Sequence, residues 1–310
     1  MKRSIADIIR RGFENTLANW PLLLIRIAEG VVFLMITVAA VVAAVVPVIV
    51  SIGLNKFEPR NPDAMSVMMD LIITHWAVIA YLFILVLVLL IVFVGIHSFV
   101  EAGVARVYVE AERATASVPA PTRDQFRAFT AERWMVGGRR DWWTVFWIYN
   151  IAWSVSGVVL LVPLVILGAA MLIARENAPV MIGVSCLGLA LFLPLFIAVA
   201  VVTHIWCRKA IVVCVARASD AMESLRTAWR EFKADTWRHI GVALALFLLT
   251  IVGAMVFASF SGFSNLSDSP GFALALMPMQ LVSSFLNTIF SAAMACWFTA
   301  CFAALTMEPR

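Results

Sequence analysis

Six apolar runs separated by short charged segments set the pattern of this chain. They cover about residues 21–54, 76–99, 142–173, 179–206, 237–260 and 272–307. Each is long enough for a helix, which needs about 20 residues to cross the hydrocarbon of a bilayer. The pattern predicts an all-α, single-domain polytopic membrane protein whose six transmembrane helices are paired as three hairpins. The first run follows basic residues, as a secretory leader would. It is longer than the roughly 7–15 apolar residues of a leader, and no clear cleavage site closes it. It therefore reads as a retained span.

Between the runs, apolar positions recur with a helical period. Ile5, Ile8, Ile9, Phe13, Leu17 and Trp20 share one face, with Lys2, Arg3, Arg10 and Arg11 largely elsewhere. Ser4 and Asp7 have the spacing of a capping box. Ala221, Met222, Leu225, Trp229 and Phe232 form a similar stripe, with Glu223, Arg226, Arg230 and Lys233 off it and Ser219 or Asp220 at its start. The middle segment is less regular. Pro119 and Pro121 interrupt it, Thr122 and Asp124 can cap it, and Phe126, Phe129 and Trp134 supply an apolar side before GGRRDWW enters span three.

The expectation is three copies of one unit, an amphipathic helix in the headgroup layer followed by a hairpin. Trp20, Trp142, Trp143, Trp229 and Trp237 are the expected interfacial anchors.

Charge gives the threading. The amino-terminal segment, the segments after spans two and four and the last residue together hold nineteen Lys and Arg. The opposite side holds three, Lys56, Arg60 and Arg175. Positive charge in short loops stays in the cytoplasm, so both termini are expected there, in a bacterial inner membrane. The net charge of +4 is divided among these segments rather than gathered on one face, so nucleic acid is not an expected partner.

Composition excludes more than it identifies. At 63% hydrophobic and 14% charged residues, the chain is unlike a water-soluble enzyme or a disordered segment. Cys186, Cys207, Cys214, Cys296 and Cys301 lie in or beside the apolar runs without a C-x-x-C pair, and read as buried thiols.

Three stretches carry a family resemblance: RRGFENTLANWPLLL, GVARVYVEAERA leading to GGRRDWW, and AIVVCVARASDAMESLRTAWREFKADTWRHIG. They resemble a broad group of bacterial six-span proteins, similar to the membrane domain fused to some glycerophosphodiester phosphodiesterases. The resemblance implies the topology. It transfers no catalytic residue, because the phosphodiesterase domain is absent from this sequence.

Ionisable groups at membrane depth are the candidate chemistry. Arg26 and Glu29 share a face of span one, His97 and Glu101 a face of span two, and His204 and Asn150 lie at a similar depth. The first reading is a packing ion pair for Arg26 and Glu29 and interfacial groups touching water for the other four, and the second is convergence of all six on a polar cavity open to the cytoplasm. His75, His97 and His239 form no facing pair for haem, and neither a metal-site motif nor a phosphate loop is present, so no cofactor and no enzyme activity are expected.

Pro47, Pro163, Pro194 and Pro278 mark expected kinks, and Ala292, Cys296, Ala300 and Ala304 a close-packing stripe. The expected function is a non-enzymatic accessory or scaffold protein engaging anionic headgroups, and a partner protein, through its basic segments. A small-molecule or lipid carrier, and a subunit of an energy-conversion complex, are the alternatives.

Overall fold

The computed structural model describes residues 3–52, 76–118, 120–174, 177–262 and 270–308, with side chains described except at 46–52, 178, 258–262 and 270–276. Eight α-helices are found among the described residues, and no strand. They are α1 (Ile5–Ala18), α2 (Pro21–Ile52), α3 (Trp76–Ala114), α4 (Ala131–Ala174), α5 (Ala178–Arg217), α6 (Ala221–Ala234), α7 (Thr236–Gly262) and α8 (Pro270–Thr306), with a 3-10 turn at Arg123–Phe126. All but α1 and α6 are long and apolar enough to cross a membrane, so the protein is a multi-pass membrane protein. The two longer opposite-side loops, the turn at Arg175, Lys2, Lys56, Arg60, His75, Pro119 and Arg310 lie outside the described residues.

Three helices overrun their apolar runs. α3 continues to Ala114, α5 continues to Arg217, and α4 begins at Ala131 and passes through GGRRDWW without a break. Hydropathy ends at the charged residues, but a helix ends only where its backbone is stopped. The stretches 100–114 and 207–217 lack proline, and 100–114 holds four alanines, so the backbone is not stopped and the helix persists beyond the lipid-compatible part. Helical geometry also continues through Pro47, Pro163, Pro194 and Pro278.

The chain forms two compact units, Met1–Leu24 with Ser98–Arg310, and Ile25–His97. The smaller unit pairs α2 with the first part of α3. Phe33 and Phe93 meet with ring centroids 4.8 Å apart, and the Tyr81 hydroxyl donates to the Ala43 carbonyl at 3.3 Å.

The larger unit has its core at the end that carries the termini, here called the collar. Val104, Tyr108, Phe126, Ile211, Leu225 and Phe302 are fully buried there. Farther along α4, α5, α7 and α8 the large apolar side chains are mostly exposed. That distribution suits lipid, where apolar contact with a neighbouring helix gains little over contact with acyl chains.

Small residues set the approach of helices in the collar. Gly103 of α3 faces Trp134 of α4, and Gly138 of α4 faces the Phe99 ring of α3. A Cβ at Gly103 would lie 2.7 Å from the Trp134 carbonyl oxygen. The stripe Ala292, Cys296, Ala300 and Ala304 is buried within the chain, as are Cys207, Cys214 and Cys301, whereas Cys186 is exposed.

α1 and α6 are copies of one element. Each has fourteen residues. The caps are Ser4 and Asp220, each accepting from the backbone N–H of an acidic residue three positions on, Asp7 and Glu223. Trp297 of α8 donates its indole N–H to the Ile9 carbonyl at 3.0 Å, and Trp206 of α5 donates to the Leu225 carbonyl at 2.8 Å. Ile9 and Leu225 are both fifth after the cap. The same tryptophans pair with Phe13 and Trp229, with centroids 5.0 and 5.6 Å apart, and these aromatics too occupy matching positions. In the middle unit Phe99 of α3 meets Trp134 of α4 at 5.5 Å, but the short helix is reduced to the 3-10 turn.

The two helices bury a face that only partly coincides with the hydrophobic stripe: Ile8, Leu225 and Phe232 of the stripes are buried, but most of the α1 stripe is not. α1 buries Ile8, Arg11, Gly12, Asn15 and Thr16, and leaves Ile5, Phe13 and Trp20 exposed. α6 buries Ser224, Leu225, Thr227, Ala228 and Phe232, and leaves Met222 and Trp229 exposed. Each helix therefore has three sectors: a mixed one against the protein, where small and polar residues join Ile8 or Leu225 and Phe232, one apolar facing outward, and one charged.

Replacing Gly103 by Val is expected to destabilise the protein by about 1–3 kcal/mol through overpacking. Gly168→Ala, where nothing lies within 4 Å of the added carbon, should stay within about 0.5 kcal/mol. Thermal unfolding of the detergent-solubilised full chain compares the two.

Candidate functional site

The six polar residues singled out in the spans do not form one constellation. In the smaller unit, Arg26, Glu29 and His97 come together. Glu29 is one helical turn from Arg26 and accepts from its Nη1 at 2.9 Å, while its other oxygen meets His97 Nδ1 at 2.7 Å. The Arg26 and Glu29 side chains are buried, and that of His97 is 31% exposed. A carboxylate held on one oxygen by a guanidinium and on the other by an imidazole is a locked acceptor. It ties α2 to α3 and offers an incoming solute only what it gives up elsewhere.

The other three lie in the larger unit. Glu101 of α3 pairs with Arg208 of α5. His204 of α5 sits edge-on to Phe298 of α8, with centroids 5.4 Å apart. Asn150 of α4 turns its amide back onto the Phe146 carbonyl of its own helix at 2.8 Å.

The most extensive polar chemistry is in the collar, around Arg11, which the sequence pattern places off the apolar face of its helix. Arg11 of α1 is buried. Its Nη2 and Nε donate to one oxygen of the fully buried Glu112 at 3.0 and 3.3 Å. The same guanidinium donates to the Thr115 hydroxyl at 3.0 Å, the Thr115 carbonyl at 3.2 Å and the Val118 carbonyl at 3.1 Å. It also lies over the Phe126 ring, 5.3 Å from the centroid. Asn19 clips the next stretch. Its side-chain oxygen accepts from the N–H groups of Ala128 and Phe129 at 2.9 and 2.8 Å, and its amide donates to the Phe126 carbonyl at 2.9 Å. A single asparagine thus substitutes for a strand edge and docks the 3-10 turn on α1.

Two further ties close the collar. Lys209 of α5 is 3.0 Å from Glu231 of α6 and donates to the Thr306 hydroxyl of α8 at 3.0 Å. Arg217 also pairs with Glu231. Arg238 donates to both oxygens of Glu308 at 3.0 Å, and the Arg3 backbone N–H donates to Glu308 as well. Arg3 and Arg238 are therefore fastened together through Glu308. Burial pushes the Glu231 carboxyl up, but Lys209 and Arg217 beside it hold it below the ordinary glutamate value. Glu308 follows the same pattern, with burial outweighed by Arg238 and Arg3.

What remains on the collar surface is basic. Among the described residues, Arg10, Arg127, Arg139 and Arg226 are exposed and make no ion pair. The five anchor tryptophans are all substantially exposed, from Trp229 at 36% to Trp237 at 83%. Trp143 stacks on Phe146 with centroids 5.3 Å apart and meets Trp147 edge-on, so the α4 entrance carries an aromatic cluster.

Two recesses open in the larger unit. The larger, about 650 Å³, runs between α4, α5 and α6 and is lined by Val155, Val199, Trp206, Arg226 and Trp229 among others. The smaller, about 260 Å³, lies at the α1–α2 elbow beside Arg127 and Arg133. No group of three or more His, Cys, Asp or Glu among the described residues is placed to hold a metal. Compared with known protein families, with curated proteins and with solved structures, the chain matches none.

The spans, the Arg26–Glu29 pair and the caps were readable from sequence. The collar network was not, because Arg11, Asn15, Glu112 and Lys209 look like ordinary surface residues until their distant partners are known. The small Gly12 next to Arg11, and Ala228 next to Thr227, are the one local signal that this face is in close contact.

Removing either partner of Arg11–Glu112 should cost about 3–5 kcal/mol, as for other buried pairs. Joint replacement by Arg11→Met and Glu112→Leu should cost less than the sum of the singles, in a double-mutant cycle read by thermal unfolding. A second expectation concerns pH. With folded values below 4.5, Glu231 and Glu308 contribute stability that is fully present above that pH and is lost as pH falls through their lowered values. The midpoint of unfolding should therefore lose this contribution only below about pH 4.5, and Glu231→Gln should blunt that loss.

Proposed function

We propose that this chain is a non-enzymatic membrane scaffold of the bacterial inner membrane, with both termini cytoplasmic, whose collar engages anionic lipid headgroups and a partner protein. One observation carries the reading. Buried charges are consumed in mutual ties, while exposed arginines with no ion pair among the described residues lie on the collar segments, whose helices α1 and α6 present apolar side chains outward. A basic surface beside an outward apolar face meets anionic headgroups on one side and acyl chains on the other. The nineteen-to-three division of Lys and Arg supports the orientation. The carrier reading rests on the partial exposure of His97 beside Glu29. A cysteine at position 29 that reacts with a water-soluble thiol reagent would favour it.

The full chain in nanodiscs should enrich phosphatidylglycerol over phosphatidylcholine in its lipid shell. Each neutralised surface arginine should lower that preference up to about fivefold, from roughly 1 kcal/mol per basic residue near an anionic surface. The triple variant Arg10→Gln, Arg127→Gln, Arg139→Gln, with lipids quantified by mass spectrometry, measures it. Equal lipid shells for the parent and the variant would remove the lipid part of the proposal. A carboxy-terminal reporter active outside the cytoplasm would remove the orientation.

A further inference from the structure

The groove between α4, α5 and α6 has the shape and chemistry of a seat for one anionic phospholipid. Its walls descend from the collar along Ile151, Val155 and Val159 on α4, and along Val202, Val199 and Ala198 on α5. From Ile151 to Val159 the wall is about 12 Å long at 1.5 Å per residue. That is close to the depth of one hydrocarbon leaflet, about 15 Å. Val155, Val159 and Met222 are exposed along it, so the groove opens sideways rather than into the protein.

The polar atoms within the groove are almost all occupied. Ser156 donates to the Ala152 carbonyl at 2.8 Å, and Thr203 donates to the Val199 carbonyl at 2.7 Å. The Trp206 indole N–H is taken by the Leu225 carbonyl. No acidic or imidazole side chain lines it. To an incoming molecule the floor is therefore hydrocarbon-like and unsuited to a polar solute. Arg226, on α6 at the collar end, is the exception: a cation without an ion-pair partner among the described residues, flanked by Trp206 and Trp229.

A long apolar trough with one cation and two indoles at its mouth matches a single ligand chemistry, an acyl chain joined to an anionic phosphate. We infer that this groove holds one anionic phospholipid, its phosphate on Arg226 and one chain along Val155 and Val199. The inference rests on the proposed lipid-engaging function and narrows it to a discrete site. The charge of Arg226 selects the headgroup, and the trough supplies affinity common to any diacyl lipid.

The test is native mass spectrometry of the full chain during stepwise delipidation, with added phosphatidylglycerol or phosphatidylcholine. One phosphatidylglycerol should be retained last. Arg226→Gln should weaken its retention about fivefold and leave phosphatidylcholine unchanged. Val155→Trp, which fills the trough from its exposed side, should weaken both, and unchanged unfolding temperatures certify that the variants are folded.

Retention unaffected by both substitutions, while the triple variant of surface arginines still loses its phosphatidylglycerol preference, would overturn the groove and leave the general function standing. No phosphatidylglycerol preference in the parent protein would overturn both. Equal binding of glycerol 3-phosphate, which lacks chains, would overturn the lipid assignment. So would a dimer that Val155→Trp dissociates, since a second copy would then be the occupant.

Discussion

The ion pair between Arg11 and Glu112 is the interaction on which the collar depends. Burying two charges costs several kcal/mol per ion, and attraction alone does not reliably recover it. Here the guanidinium spreads its donors over a carboxylate, a hydroxyl and two backbone carbonyls, with an aromatic ring on its face. Those two carbonyls, of Thr115 and Val118, lie just beyond the end of α3, where the Thr115 carbonyl has, besides Arg11, a turn bond from the Val118 N–H rather than a helical partner. One side chain therefore satisfies a helix terminus, neutralises a buried acid and anchors α1. A lysine, with a compact ammonium and no planar fork, could not reach that set of acceptors together.

Such a tie is needed because of where the hydrophobic effect operates. In lipid, apolar side chains gain little by leaving acyl chains for each other, and helix association falls to close packing and polar contacts. Most of the apolar windows of the six long helices are only slightly covered by protein, at 0–17% for five of them, whereas that of α8 is 56% covered. α8 is also where α1 packs, through Gly12 against Cys301 and through the Trp297 bond to Ile9. Order in the larger unit is thus concentrated in the collar, and α8 takes part in it through its stretch 292–305.

Sequence periodicity made the spans, the caps of α1 and α6 and the recurrence of the short helices legible. Which sector each short helix buries was not. Ile5, Ile8, Ile9, Phe13, Leu17 and Trp20 define the stripe at α1, and a soluble protein would bury it, whereas here only Ile8 is buried. In a membrane protein an apolar stripe has two possible destinations, protein or lipid. The polar sector of Arg11, Asn15 and Thr16 is buried because Glu112, Tyr108 and the 115–118 backbone await it. Those partners lie about a hundred residues away, beyond any local window. The same limit applies to the candidate cluster. Arg26 and Glu29 are one turn apart on one helix and could be paired from spacing, whereas the Glu101–Arg208 contact joins two helices whose facing was not encoded in either alone.

Matching positions in α1 and α6 carry different chemistry on one geometry. Arg11 and Thr227 occupy corresponding buried places, and the buried Asn15 corresponds to the half-buried Glu231, so the charge that α1 contributes as a cation α6 contributes as an anion. Each finds its complement on a long helix, Glu112 on α3 and Lys209 on α5. The tryptophan-to-carbonyl bond and the aromatic pair are the same in both. Shape is therefore held by the part that is shared, and pairing specificity by the part that differs. The two short helices, identical in length, meet their long-helix partners with opposite charge, buried on α1 and half-buried on α6. Opposite charge thus distinguishes otherwise similar docking positions and gives each helix one seat in the collar.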